Sequence, residues 1–421
     1  MLMWTFQNAK IVKQTVTVLI FLFGSQFVDG QNSSSWKREA WILSQSQFAQ
    51  IRDRRSQASQ RSPKRILKRN LFKSSWGMQE QNGVDVSRAW SINPQIKKNC
   101  ALDQEIIVAI VDTGFDLNHP DLKHSIWVNK AELNGKKGID DDKNGFIDDI
   151  HGWDFVANSP KIVDHHGHGT HISGIVSANS AINGGFMGVC PGVKIMPLRY
   201  FNNYSSGNET LMNTVKAINY AVDNGAKIIN YSGGGAQHSQ REFKAIKRAR
   251  EKGVLFVAAA GNEYRSNESQ AFYPSSYGLD NIISVASHDK NGKMLRSSNW
   301  GRSKVHVAAP GENIRSTSPG GAYALETGTS QATAFVTGLA ALIWVQSPKL
   351  SYSTVRSIVM NSVIPKKGLK ARLKTGGIVN AFLAMRKIFG ASKQILKKKT
   401  KSAKAKKKKV KRRISSGKKK K

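Results

Sequence analysis

Cysteine is nearly absent from this sequence of 421 residues, which has only Cys100 and Cys190. That scarcity excludes a small scaffold stapled by several disulfides and a zinc finger built on cysteine ligands. Long apolar runs are missing too. The N-terminal run VTVLIFLF (16–23) is shorter than the roughly 20 residues a membrane-spanning helix needs, and the other apolar segments are short or interrupted. Acid is scarce: 28 Asp and Glu stand against 65 Lys and Arg, for a formal net charge of +37. The excess is uneven, with 17 basic and no acidic residues in 391–421 and a net of +9 in the first 69. The 321 residues between carry the remaining +11 and can bury a large core, as one α/β domain or two smaller ones. With 39% hydrophobic residues and 36 glycines the whole is neither disordered nor collagen-like, and no internal repeat is visible.

The ends read separately from the body. Lys10 and Lys13 precede the apolar run, and Val28 and Gly30 are small residues at −3 and −1 of a cleavage after Gly30, so 1–30 reads as an export signal. An uncleaved membrane anchor is the competing reading; once a signal is removed, no stable membrane span is expected. Residues 31–69 are polar and basic and end in KRILKR, as a linker or a short pro-segment. The lysine runs of 391–421 have almost no interleaved aromatics. They suit non-specific contact with an anionic polymer, such as a cell envelope or nucleic acid, or else a solvated, disordered tail without a dedicated partner. A protein whose function is dominated by polyanion binding through this tail is one reading of the charge. The body between the two ends spans 70–390.

Short runs rich in β-branched residues predict strands over 106–111, 193–198, 227–232, 254–260, 282–287 and 305–309, each buried on both faces. Helical patterns fall over 209–224, 241–252, 330–344 and 378–389. Strands alternating with helices imply an α/β fold of three layers, a mainly parallel sheet flanked by helices.

Three separated motifs carry chemistry. V-D-T-G over 111–114 follows the strongest strand pattern and places Asp112 at a strand's C-terminal end, the edge where parallel α/β sheets hold their sites. H-G-H-G-T-H-I-S-G spans 166–174, and G-T-S-Q-A-T over 328–333 opens an apolar helix with Ser330 in its first turn. A serine hydroxyl is a weak nucleophile until an imidazole takes its proton, and the imidazole needs a carboxylate to fix its tautomer. Backbone N–H groups at a helix start point toward a developing oxyanion.

The order Asp, His, Ser with these flanking residues resembles the subtilisin-like serine peptidases over roughly 76–389. The resemblance implies an endopeptidase acting on protein or peptide substrates, secreted in view of the signal. Asp112 is then the orienting acid, His168 the general base and acid, and Ser330 the nucleophile, with His171 structural. A-A-A-G-N over 258–262 is similar to the family's oxyanion segment, setting the Asn262 amide beside the Ser330 N–H, with Ala259 and Gly261 along the substrate. S-G-G-G over 232–235 resembles the strand end that pairs with extended substrate, through Ser232, Gly233 and Gly234. Tyr273–Pro274 and A-A-P-G over 308–311 match in order. Gln331 and Ala334 depart from the family's usual Met and Pro, positions without a chemical role. Phe272 stands where a small residue often lines the first specificity pocket; its ring either favours small P1 side chains or packs aside.

DDDKNGFIDD over 140–149 sets Asp140, Asp142, Asn144, Phe146 (through its carbonyl) and Asp148 at alternate positions of a calcium-loop pattern, with Gly145 at the turn. Hard oxygen donors favour a structural Ca²⁺, although the closing bidentate Glu is replaced by His151. Without metal the segment reads as a solvated acidic hairpin. Asp121, in H-P-D-L, resembles a ligand of a different calcium in many family members, with its loop near 179–185. His165 and His166 read as loop residues beside His168 and not as zinc ligands. If the strands after Cys100 and Cys190 are neighbours, as in the family, both cysteines lie near one sheet edge; they either form a disulfide or stay two small apolar side chains. The chain is expected to be a monomer.

Overall fold

The computed structural model describes residues 75–102, 106–180 and 185–390. The expected signal, the basic 31–69 stretch and the 391–421 tail lie outside them, as does the 181–184 part of the loop beside Asp121. Every apolar run expected to be a strand is one: β1 (Ile107–Asp112), β3 (Lys194–Arg199), β4 (Ile228–Tyr231), β5 (Leu255–Ala259), β6 (Ile282–His288) and β7 (Val307–Pro310). With β2 (Trp153–Asp154), β10 (Val363–Pro365) and β11 (Gly377–Val379) they form a nine-stranded sheet in the order β10-β11-β7-β6-β5-β4-β1-β3-β2. All neighbours are parallel except β10, which runs antiparallel to β11. Two further strands, β8 (Ile314–Ser318) and β9 (Ala322–Glu326), make a separate antiparallel hairpin.

The helices are α1 (Val86–Ser91), α2 (Gln95–Leu102), α3 (Lys130–Asn134), α4 (His168–Ser177), α5 (Gly207–Asp223), α6 (Gln240–Glu251), α7 (Thr329–Gln346), α8 (Tyr352–Met360) and α9 over 381–390. The helix expected over 378–389 is thereby corrected. Ile378 and Val379, both β-branched, pair in the sheet, and the helix starts only at 381.

Successive side chains of a strand point to opposite faces, and this alternation divides the core. Val108 and Ile110 of β1 pack with α4 and α7 on one face, while Ala109 and Val111 pack with α5 and α6 on the other. α7 is buried on every side from Thr329 to Val345 and is mostly apolar beyond its first turn, as a central helix must be. Within that apolar layer one polar pair is matched: Thr337 Oγ1 donates to Asn230 Oδ1 of β4 at 2.8 Å. Cys100 on α2 and Cys190 ahead of β3 are bonded to each other, with Cα atoms 5.4 Å apart.

Helix starts differ in a way that bears on the site. α5, α6 and α8 begin at Ser206, Ser239 and Ser351, each accepting a backbone N–H from three residues on. α4 and α7 begin at Gly167 and Gly328, which have no capping side chain. Their first-turn N–H groups are left for partners elsewhere in the fold.

Candidate active site

The parallel strands β1, β4 and β5 end at one edge of the sheet, and the residues singled out from the sequence gather there. Asp112 is the last residue of β1 and only 3% exposed. His168 is the first residue of α4, its side chain 20% exposed. His168 Nδ1 lies 2.7 Å from Asp112 Oδ1, the same oxygen that accepts the Thr113 N–H at 2.8 Å. Since a carboxylate only accepts, Nδ1 carries the hydrogen and Nε2 is free to take a proton. Burial lowers the imidazole's pKa, but the Asp112 charge and hydrogen bond, with Glu326 and Asp164 behind them, outweigh it and push it up to about 9.

The start of α4 is held by residues that sequence reasoning passed over. Asp164 Oδ1 accepts from Gly167 N at 2.7 Å and Thr113 Oγ1 at 2.9 Å; its Oδ2 accepts from Thr170 N at 2.8 Å and Thr170 Oγ1 at 2.6 Å. Thr113 Oγ1 in turn accepts from Gly169 N at 3.0 Å. A Cβ on Gly169 would come within 2.1 Å of the Gly114 carbonyl, so only glycine lets the helix approach the strand end this closely. An acidic residue four positions before His168 was the available signal, a displaced cap for a helix that starts on glycine.

Ser330 sits in the first turn of α7, with its Oγ donating to the Ser232 carbonyl at 3.4 Å. Asn262 follows β5 and is exposed. Its Oδ1 accepts from Thr329 N and Thr329 Oγ1 at 2.9 and 3.1 Å, which commits the oxygen and leaves Nδ2 as a donor without a partner among the described residues. The turn carrying Asn262 is fixed by Asn299, also absent from the sequence reading. Asn299 Oδ1 accepts from Glu263 N and Arg265 N, and its Nδ2 donates to the Ala260 carbonyl at 3.1 Å.

Ser232, Gly233 and Gly234 continue from β4, and Ala259 ends β5. Gly235 pairs with Tyr273, N–H to carbonyl at 2.9 and 2.7 Å in the two directions, next to the cis bond between Tyr273 and Pro274. Phe272 is 7% exposed. A Cβ on Gly234 would meet its ring at 2.5 Å and one on Gly261 at 3.1 Å, so the ring fills the space between the two glycine segments. His171 is buried and its Nε2 contacts the carbonyls of Ile314 and Ala324 at 3.0 and 3.3 Å. His165 and His166 are exposed, the latter ring 6.2 Å from that of His168.

Carboxylate oxygens of Glu132, Asp140 and Asp142 lie within 4.8 Å of one another, and none of the three is in an ion pair among the described residues. All three accept hydrogen bonds from neighbouring N–H groups but have no counter-charge, and hard oxygen groups of this kind fit a divalent cation. Glu132, on α3, was not visible as a member of the cluster because it lies outside the loop pattern. Of the other expected donors, Asp148 accepts from Gly138 N at 2.9 and 3.1 Å, and Asn144 Oδ1 accepts from Phe146 N at 2.8 Å. At Asp121, Oδ2 accepts from Phe186 N and Tyr323 OH, both at 2.7 Å, while Oδ1 is buried without a partner. A buried, orphaned carboxylate oxygen also fits a cation.

The Subtilase family, as a sequence model, matches residues 103–409. The chain is 35% identical over 339 residues to Subtilisin-like protease 1 of Plasmodium berghei (strain Anka), covering 76% of this chain and 56% of that protein. It is 35% identical over 315 residues to Subtilisin-like protease 1 of Plasmodium falciparum (isolate 3D7), covering 70% and 45%. Thermitase of Thermoactinomyces vulgaris is 36% identical over 278 residues, covering 66% of this chain and 88% of that one. The chain thus spans about half the length of the Plasmodium relatives it matches.

Proposed function

Because this chain belongs to the subtilase family, we propose that it is a serine endopeptidase working through an acyl-enzyme. The observation that carries the reading is the 2.7 Å contact between His168 Nδ1 and Asp112 Oδ1 at the strand edge where Ser330 opens α7. Ser330 Oγ attacks the scissile carbonyl while His168 Nε2 takes its proton. Asp112 holds the ring by Nδ1 and balances the imidazolium. The oxyanion accepts from the Ser330 N–H and from Asn262 Nδ2. The C–N bond then breaks, the leaving amine takes the proton from His168, and water repeats the sequence to release the acid.

The substrate chain lies extended along Ser232, Gly233 and Gly234 on one side and Ala259 and Gly261 on the other. Phe272 closes the space beneath, so the enzyme prefers small P1 residues. Ca²⁺ would be a structural partner: Glu132, Asp140 and Asp142 would hold one ion and Asp121 another, and bound there it would supply positive charge that ties loops together. The signal-like 1–30 supports export, with residues 31–69 as a linker or a short pro-segment.

Ser330→Ala tests the catalytic assignment. Peptide hydrolysis is expected to fall by about a thousandfold or more, with loss of labelling by serine-directed phosphonates. Turnover persisting in that variant would overturn the reading.

A further inference from the structure

Glu326 ends β9, four residues before the proposed nucleophile, and its carboxylate faces two buried side chains that the mechanism above does not use. Its Oε2 accepts a hydrogen bond from Gln331 Nε2 at 2.9 Å, and Gln331 is buried directly after Ser330. The same oxygen lies 3.9 Å from Nδ1 of His171. The Nε2 of His171 faces only carbonyl oxygens, which accept, so Nε2 carries the hydrogen. Nδ1 is buried with no hydrogen-bond partner.

Burial lowers the His171 pKa more than Glu326 raises it, so at neutral pH the close approach is not an ion pair. Two acceptors face each other instead, and the Glu326 charge has no cation of its own among the described residues. The cation that forms nearby is the His168 imidazolium, one turn before His171 on α4. The titratable groups around His168 are Asp112 on β1, Asp164 ahead of α4, Glu326 on β9, and the imidazoles of His166 and His171. Asp164 is occupied by Thr113, Gly167 and Thr170. Glu326 alone of these links to both catalytic helices.

Resting on the peptidase reading, we propose that Glu326 is a positioning residue for the catalytic pair. Through Gln331 it ties down the first turn of α7, and its charge supports the imidazolium formed at His168 during the reaction.

The test is the pH profile of kcat/KM on a peptide substrate, using the full chain. Glu326→Gln keeps an acceptor for Gln331 and removes the charge. Its acid limb is expected to move to lower pH by about half a unit, with the plateau rate reduced several-fold. Gln331→Met cuts the tether but leaves the charge, so the rate should fall while the limb stays in place. A purely structural tether would lower rates with the limb unmoved in both variants, and coincident limbs in wild type and Glu326→Gln overturn the proposal. Should Glu326→Gln not fold, Glu326→Asp withdraws the carboxylate by one methylene and should move the limb the same way by less; an unmoved limb there overturns it equally. Turnover surviving Ser330→Ala would instead sink the peptidase reading. A Ser330-dependent enzyme with coincident limbs sinks only the role of Glu326.

Discussion

In the proposed reading, Phe272 limits how large a substrate side chain the cleft can take. Its position next to Gly234 and Gly261 could not be read from the sequence, because the three residues come together only where separate strands end side by side. Phe272→Ala is expected to raise kcat/KM for peptides with Leu or Phe at P1 by about tenfold or more relative to Ala. Peptides differing only at P1 measure the ratio, and an unchanged ratio would mean that the ring does not bound the pocket. His168 is the proposed general base, so its base form is the active one in that mechanism, and the pKa pushed up to about 9 then means that activity should climb as pH rises from 6.5 toward 9. Stability should run the other way. The folded pKa exceeds that of an unfolded histidine, so the ion pair with Asp112 stabilises fully below about pH 6.5 and is lost as pH rises through 9. An acid limb at or below pH 6.5 would contradict this.

Among the elements, six of the seven interior strands and the long helices were legible because burial on both faces demands unbroken apolar runs, and these helices carry amphipathic or wholly apolar patterns; the seventh, β11, has three residues and merged with the helical pattern after it. β2, with two residues, and β10, with three, are too short to leave such a pattern. The β8–β9 hairpin went unseen for another reason. Its strands read IRSTS and AYALE, and beside Ile314 the buried residues of β8 are small polar side chains whose hydroxyls meet α4: Ser316 Oγ donates to the His171 carbonyl and Thr317 Oγ1 to that of Thr170, both at 2.7 Å. The acidic loop was visible as a run of aspartates, but Glu132 joins it from α3 and its carboxylate accepts the N–H groups of Asp141, Asp142 and Asp148. If this cluster holds calcium, chelation should lower the thermal midpoint by several degrees, and restoring Ca²⁺ should recover it. A midpoint indifferent to chelator, with metal absent by elemental analysis, would remove calcium from this loop.

For the whole molecule, the Cys100–Cys190 bond closes a loop between residues 90 positions apart. In the chain-entropy picture such a crosslink disfavours the unfolded state by about 4.6 kcal/mol. It ties α2, on the N-terminal side, to the segment leading into β3. The expected export and maturation also belong to the chain as a whole. N-terminal sequencing of the product recovered from culture medium should find a start beyond the KRILKR cluster of 64–69, whereas a product retained in the cell with an intact N-terminus would remove both expectations. What the sequence by itself determined is the set of chemical parts and the order of the elements, since apolar periodicity is local and the triad's neighbours are contiguous. Only the tertiary structure decided which distant groups share a surface: Asp164 and Thr113 at the start of α4, Asn299 behind Asn262, Phe272 between two glycines, Glu326 beside Gln331 and His171. Those pairings depend on strand order and helix approach, and no local spacing encodes them.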